Sequence, residues 1–288
     1  MALDETRYPL EFEGPFATDD AELPGVLRLA TRGMQMCSHE TSMDCPYYEQ
    51  LMYVGDSRLE MLTTYAMTRD ARLVRRGIEL FDRSRANGGF VNERFPAHEP
   101  QMSTTCSMIW TMMLRDYAWW RNDLAWVRAR AVGMRAMLEL FEHYRNADGL
   151  LEGLPGWSFM DWVPDWKTGY APDGRFGVSS LNNLLYVNSL LAAAEVEEAL
   201  GEPAMAERWR RRARATAAAV RAKFWDERRG LIADHLDRTA FSEHGQCLAL
   251  LADILPDPEA RRALDGLLTA PDLSRTTIYF SFYLLETF

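Results

Sequence analysis

The sequence predicts an all-α fold, a toroid of helical hairpins in which an inner ring of helices is wrapped by an outer one. Apolar residues recur at helical spacing along most of the chain, and the breaks fall at Gly, Pro and Asp-rich points. Consecutive helical stretches also alternate in character. Residues 103–114 and 178–194 carry no charge and 275–285 carries only Arg275, so these stretches read as buried all round. Between them, 202–225 sets one apolar stripe, Met205, Trp209, Ala213, Val220 and Phe224, against a field of Arg and Glu, and 70–86 and 122–146 are similarly two-faced. An α-solenoid would alternate too, but no signature repeats at a fixed period and the links vary widely in length.

Taken in order, the helices are expected near 19–38, 56–68, 70–86, 103–120, 122–146, 178–200, 202–225, 241–254, 257–269 and 275–287. Ser57 and Glu60 are placed to form a capping box at the second. Asp257 before Pro258 offers an N-cap with proline at the first position of the ninth. Residues 1–18 read as a linker or strand entering one domain over 19–288. The links near 87–102 and 147–177, rich in Trp, Pro, Gly and Asp, are long enough to suggest function.

Composition narrows the class. With 48% apolar residues the chain can bury a large core, and a net charge of −10 with pI near 5.1 argues against a nucleic-acid partner. The basic run Arg208–Arg214 lies opposite an apolar stripe and reads as a solvated helix face. Cys37, Cys45, Cys106 and Cys247 form no CxxC pair, which suggests reduced thiols in a cytoplasmic protein. No membrane span or export signal is legible. The five histidines show no HxH or HExxH spacing, and no P-loop, Rossmann or GxSxG pattern occurs, so neither metal nor cofactor is expected.

Unusual residues gather just before the even-numbered, inner helices, in Asp44–Asp56, Pro100–Trp110, Trp157–Trp166, Phe241–Gln246 and Ser274–Tyr279. Inner helices of a toroid run parallel, so these segments should meet at one mouth. The first, HETSMDCPYYEQLMYVGD, sets Glu40, Asp44, Glu49 and Asp56 among Tyr47, Tyr48 and Tyr53; if helical, it puts Glu49, Tyr53 and Asp56 on one face. Acids beside aromatic rings suit sugar chemistry. Rings cover the apolar faces of a pyranose, a carboxyl in an apolar pocket keeps its proton, and ionised ones accept from hydroxyls. Bland readings stand beside these: Asp56 as a helix cap, Glu40 as a surface charge, Glu60 as part of the capping box. From chemistry alone, Glu49 stays open between a structural acid and a proton donor.

In LPGWSFMDWVPDW, Trp157, Asp161, Trp162, Asp165 and Trp166 make a better sugar-stacking platform than a core, although any single tryptophan is more often core. Trp110 lies in an apolar inner helix and is open between pocket and packing. In FSEHGQ, Glu243 and His244 are candidates for substrate binding, while Ser242 as a cap and Glu243 favoured by the helix dipole are the structural alternatives.

The motifs DCPYYEQLMYVGD, PQMSTTCSMIW, LPGWSFMDWV, FSEHGQCLALL and TTIYFSFYLLE together resemble the catalytic domain of the bacterial α-L-rhamnosidases, glycoside hydrolase family 78. The resemblance covers nearly the whole chain and implies an (α/α)6-type six-hairpin toroid, of which about ten of twelve helices are present. It implies Glu49 as general acid, Asp44 and Asp56 as holders of sugar hydroxyls, and Trp110 and Trp162 as lining of the rhamnose pocket. Tyr53 stands where many members have Trp and Tyr48 where they commonly have Arg, which leaves the glycoside open. The family's general base belongs to a TTxxE-like segment between the eleventh and twelfth helices, beyond residue 288. The expectation is therefore a catalytic domain incomplete at its C-terminal end, preceded by a segment, ETRYPLEFEG, that resembles the linker after a β-sandwich. Together these expectations describe an inverting hydrolase of terminal α-L-rhamnosides whose isolated chain lacks its base, with no cofactor, and with self-association through the exposed flanks of the first and tenth helices. The rivals are another α/α-barrel glycosidase or lyase, and a non-catalytic carbohydrate-binding module.

Overall fold

The computed structural model describes residues 4–14, 16–85 and 88–288. Met1–Leu3 and Pro15 of the expected linker, and Ala86 and Asn87 around the end of the expected third helix, lie outside the described residues. Ten α-helices are found among the described residues: α1 (Leu23–Met36), α2 (Val54–Met67), α3 (Arg72–Ser84), α4 (Thr104–Arg121), α5 (Leu124–Leu140), α6 (Ser180–Ala199), α7 (Pro203–Phe224), α8 (Glu243–Leu251), α9 (Asp257–Thr269) and α10 (Ser281–Glu286). Short 3₁₀ turns follow α5 at Phe141–Tyr144 and interrupt the long link at Lys167–Gly169. A hairpin of two-residue strands, β1 (Trp225–Asp226) and β2 (Leu231–Ile232), pairs Trp225 with Ile232.

The alternation of the sequence is the architecture. Inner helices pack in succession, α2 on α4, α4 on α6, α6 on α8 and α8 on α10, while α3, α5, α7 and α9 lie against them from outside. Every described residue of α4 from Thr104 to Leu114 is buried, whereas α7 buries only one stripe, including Trp209, Val220 and Phe224. Local chemistry makes the turns. The Ser103 hydroxyl accepts the Cys106 amide to start α4, Asn122 ends it in the left-handed region, and the next residue, Asp123, caps α5 by accepting from Trp126. No helix among the described residues is long and apolar enough to cross a membrane.

Several boundaries differ from expectation. Tyr53 is extended and bridged to Arg94, and the Val54 amide donates to the Glu93 carbonyl, so α2 starts two residues early. Ser57 then falls beyond the first turn, its hydroxyl buried without a partner among the described residues, and the expected capping box with Glu60 does not form. α9 starts at Asp257, with Pro256 rather than Asp257 at the cap. α10 begins at Ser281 rather than near 275 because Asp161 and Glu243 hold the preceding residues in a non-helical path. α1 buries no residue, leaving Leu23, Val26 and Leu29 exposed, and Leu285 of α10 is exposed as well.

Candidate active site

The loop between α1 and α2 is not helical. Residues 46–49 turn, Gln50 adopts φ +54, and Leu51–Met52 run extended into the cap of α2. The Cys45 sulfur accepts the Glu49 amide at 3.2 Å and the Asp44 amide donates to the Leu51 carbonyl, which closes the loop on itself. A helical face is thus replaced by a folded loop, yet the outcome is the expected gathering: Asp44, Glu49, Tyr53 and Asp56 all line one cavity of about 700 Å³. Glu40, Tyr47 and Tyr48 are exposed and do not line it.

Aromatic rings line the same cavity. Trp157, Phe159 and Trp162 pack ring to ring at centroid distances of 5.0–5.8 Å, and Tyr279 approaches Phe159 at 6.1 Å. Trp157 is fixed by donating from Nε1 to the Thr168 carbonyl, and Trp162 is 60% exposed, a ring with a free face. Tyr279 reaches across because Gly55 lacks a side chain: a Cβ there would lie 2.6 Å from the Tyr279 hydroxyl. Glu93, Arg94, Gln101, Cys106, Thr277 and Ile278 complete the lining.

Four of the five sequence clusters therefore contribute directly, and the fifth sits behind them. Asp161 is fully buried and does not face the cavity. Its carboxylate accepts from His244 Nε2 at 2.7 Å, from the Thr277 amide at 2.9 Å and from the Thr277 hydroxyl. Since a carboxylate can only accept, Nε2 carries the hydrogen. His244 is fully buried between the rings of Trp166 and Phe280. Glu243 begins α8 behind the Ser242 cap and accepts from Arg275, the Thr276 amide and the Thr276 hydroxyl. These three residues, expected to bind substrate, instead shape the 275–279 strip that does line the cavity. Trp110 is also corrected: it is fully buried and donates from Nε1 to the Ile78 carbonyl at 3.0 Å, so it packs α4 against α3.

Glu93, Arg94, Phe159 and Tyr279 were not expected. Glu93 had one signal, an acid between Val91 and Phe95 in a link already conspicuous for its length. Phe159 and Tyr279 lie within the 157–166 and 274–279 clusters but are not singled out there, Tyr279 because its stretch also has the periodicity of the tenth helix.

Several acids in and beside the cavity resist ionisation. Burial, then the charges of Asp56 and Glu49, push Asp44 up to about 7. Burial raises Asp56, and burial with the Asp56 charge takes Glu60 to about 8. Glu93 reaches about 8 through burial, against the pull of Arg94. Burial also pushes the Tyr53 hydroxyl up to about 12, with Arg94 and Glu49 opposing each other beside it. Asp161 and Glu243 go the other way: burial would raise both, but their hydrogen bonds outweigh it and hold them below the ordinary carboxylate range. Asp44, Cys45 and Glu49 each bring one donor atom within 4.8 Å of the others, a grouping that the Cys45–Glu49 hydrogen bond explains.

A toroid of helical hairpins with acids and aromatic rings lining one cavity can be set beside known proteins. The profile of the bacterial alpha-L-rhamnosidase 6 hairpin glycosidase domain matches residues 11–276. The chain belongs to this family. Among solved structures, it is similar to the family 78 rhamnosidase of Bacillus sp. GL1, with 24% identity and TM-score 0.88 over 98% of this chain and 30% of that one. It is similar to a rhamnosidase from Klebsiella oxytoca, solved with rhamnose bound, with 21% identity and TM-score 0.78 over 98% of this chain and 54% of that one. It is similar also to the α-L-rhamnosidase of Streptomyces avermitilis, complexed with L-rhamnose, with 17% identity and TM-score 0.74 over 97% of this chain and 26% of that one. The six-hairpin fold expected from the sequence is therefore shown, and the chain spans about half or less of the length of these relatives. No curated protein matches it in sequence.

Proposed function

We propose that the cavity binds a terminal α-L-rhamnosyl unit and that the complete enzyme removes it with inversion. The observation that supports this reading is that Asp44, Glu49 and Asp56 line one cavity together with the rings of Trp157, Phe159 and Trp162. The rings suit the apolar face of a 6-deoxy sugar, and the acids suit its hydroxyls. Membership of the rhamnosidase family and the rhamnose bound in two relatives support the choice of sugar.

Glu49 is the general acid in this reading. It is the exposed carboxyl of the group, reachable by a glycosidic oxygen at the mouth, to which it gives its proton as the C1–O bond breaks. A base on the other face of the ring takes a proton from the attacking water, and the two carboxyls then stand about 6.5–9.5 Å apart. Asp44, with an oxygen within 4.8 Å of Glu49, is too close for that part and holds hydroxyls instead. Glu243 is engaged by Arg275 and Thr276 outside the cavity and cannot supply the base. The base is assigned to a segment beyond residue 288.

The test is hydrolysis of aryl α-L-rhamnosides by the chain extended at its C-terminal end, beside residues 1–288 alone. The extended chain should be active, and 1–288 slower by about 10²–10⁴, the usual worth of general-base help. In the extended chain, Glu49→Gln should lower turnover of substrates with poor leaving groups by at least about a hundredfold while activated aryl glycosides suffer less. Cleavage of a different glycoside in preference, or normal turnover by E49Q, would overturn the sugar or the acid respectively.

A further inference from the structure

Glu93 stands out among the groups the proposed mechanism leaves unused. Its backbone is pinned on both sides: the Glu93 amide donates to the Gln101 carbonyl at 2.7 Å and its carbonyl accepts from Val54 at 2.8 Å. This ties the link before α4 to the first turn of α2 and holds the side chain at the cavity wall. The residue is only 5% exposed, yet it lines the cavity, and its Oε2 is buried without a hydrogen-bond partner among the described residues. A buried carboxyl oxygen left unpaired is costly, so a site that retains one has a use for it when occupied.

We propose that Glu93 is a specificity-determining residue of this cavity, whose carboxyl hydrogen bonds a hydroxyl of the bound sugar. This rests on the reading of the cavity as a sugar site. The groups that face Glu93 are Arg94 beside it, Asp56 and Glu49 from the α2 side, and the buried Cys106 thiol of α4. Three of these four add negative charge or low polarity, and the carboxyl holds its proton up to about 8. A neutral carboxyl both donates and accepts, so it can meet a sugar hydroxyl in either sense.

The test measures affinity of the 288-residue chain for L-rhamnose, L-mannose, L-fucose and D-glucose by calorimetry at pH 6.5, then repeats it with Glu93→Ala and Glu93→Gln. For the sugar that the native chain binds best, E93A should bind about ten- to hundredfold more weakly, and E93Q, which keeps a donor and an acceptor, within about threefold of native. Mono-deoxy forms of that sugar locate the contact: one should bind E93A as well as the parent sugar does. Thermal unfolding of both variants checks that they fold, and E93Q carries the test if E93A does not, through its retained affinity and its retained discrimination against that deoxy sugar. A native chain that prefers another sugar while E93A weakens overturns the rhamnoside reading and leaves Glu93 in place. Native affinity in E93A, or loss of discrimination in E93Q, overturns Glu93 alone, and a native chain that binds none of the sugars overturns both.

Discussion

Asp44, Asp56 and Glu93 line the cavity, with Glu60 close to Asp56, and few donors satisfy them, whereas Asp161 and Glu243, one layer behind, are saturated with donors. The first group is pushed up, with Asp44 near 7 and Glu60 and Glu93 near 8, while the second is held low. Burial acts in the same direction on both. The difference is supply: Asp161 receives His244 and two donors of Thr277, and Glu243 receives Arg275 and two donors of Thr276. The inner layer uses its acids to build structure, while at the cavity Asp44 meets other acids and Glu93 Oε2 has no partner among the described residues.

If that contrast holds, breaking the inner layer should cost most. Asp161→Ala leaves His244 and Thr277 without their acceptor inside the fold, and removal of one partner of a buried charged network costs about 3–5 kcal/mol. Chemical denaturation of D161A should show a loss of that size, and sugar affinity should fall with it because Ile278 and Tyr279 lose their support. Asp44→Asn, in the cavity, should leave stability unchanged or improved near pH 8. Equal losses in D161A and D44N would abolish the distinction between the layers.

A second consequence is the dependence of stability on pH. Asp44, Asp234, Glu60 and Glu93 hold protons in the folded state up to about 7, 7, 8 and 8, whereas the unfolded chain releases them near 4. The folded state therefore binds more protons between those limits, and stability should fall as pH rises from about 4 to about 8, then level off. Asp161 and Glu243 work oppositely, contributing stability above the unfolded value that is lost as pH drops through their lowered folded values. The melting temperature should thus peak near pH 5 and fall on the order of 5 °C or more by pH 8.5. Glu60→Gln should flatten the alkaline side. A melting temperature that climbed from pH 5 to 8.5 would show that these carboxyls are ionised when folded.

How much of this was legible depends on the range of the interactions involved. The ten helices could be read from apolar periodicity, and the inner placement of α4 and α6 from the charge-free stretches 103–114 and 178–194, because burial on every side excludes charge whatever the neighbours are. Asp44, Glu49, Tyr53 and Asp56 were legible as a group through short spacing and chemical type, even though the expected helix proved to be a loop. The function of Asp161 was not legible. Its partners His244 and Thr277 lie 83 and 116 residues away, and nothing local marks an acid as one that will be saturated. The same distance hid the true start of α10, since 275–280 has helical periodicity but is held off the helix by Glu243 and Asp161. The Ser57–Glu60 capping box failed through a strand-like pairing, Tyr53 with Arg94, that a four-residue motif cannot foresee.

The smallest expected effect separates two tryptophans that the sequence placed in one pocket. Trp162 shows 60% of its surface and makes no side-chain hydrogen bond among the described residues, while Trp110 is fully buried with its Nε1–H given to Ile78. Replacing Trp162 by Ala should therefore change stability by no more than about 0.5 kcal/mol, as for an exposed side chain away from any network. Its ring packs on Phe159 and Trp157 and faces the cavity, so affinity for the bound sugar should drop about three- to tenfold, the worth of one aromatic face. Trp110→Phe should reverse the pattern. It removes the hydrogen bond to the Ile78 carbonyl and opens a gap in the α3–α4 contact, at a cost of about 1–3 kcal/mol of stability, while the folded fraction binds sugar as before. Denaturation and calorimetry on the two variants together decide the matter, because a Trp110 variant that folded normally but lost affinity would return that residue to the pocket and place the cavity wall one helix deeper than the present lining.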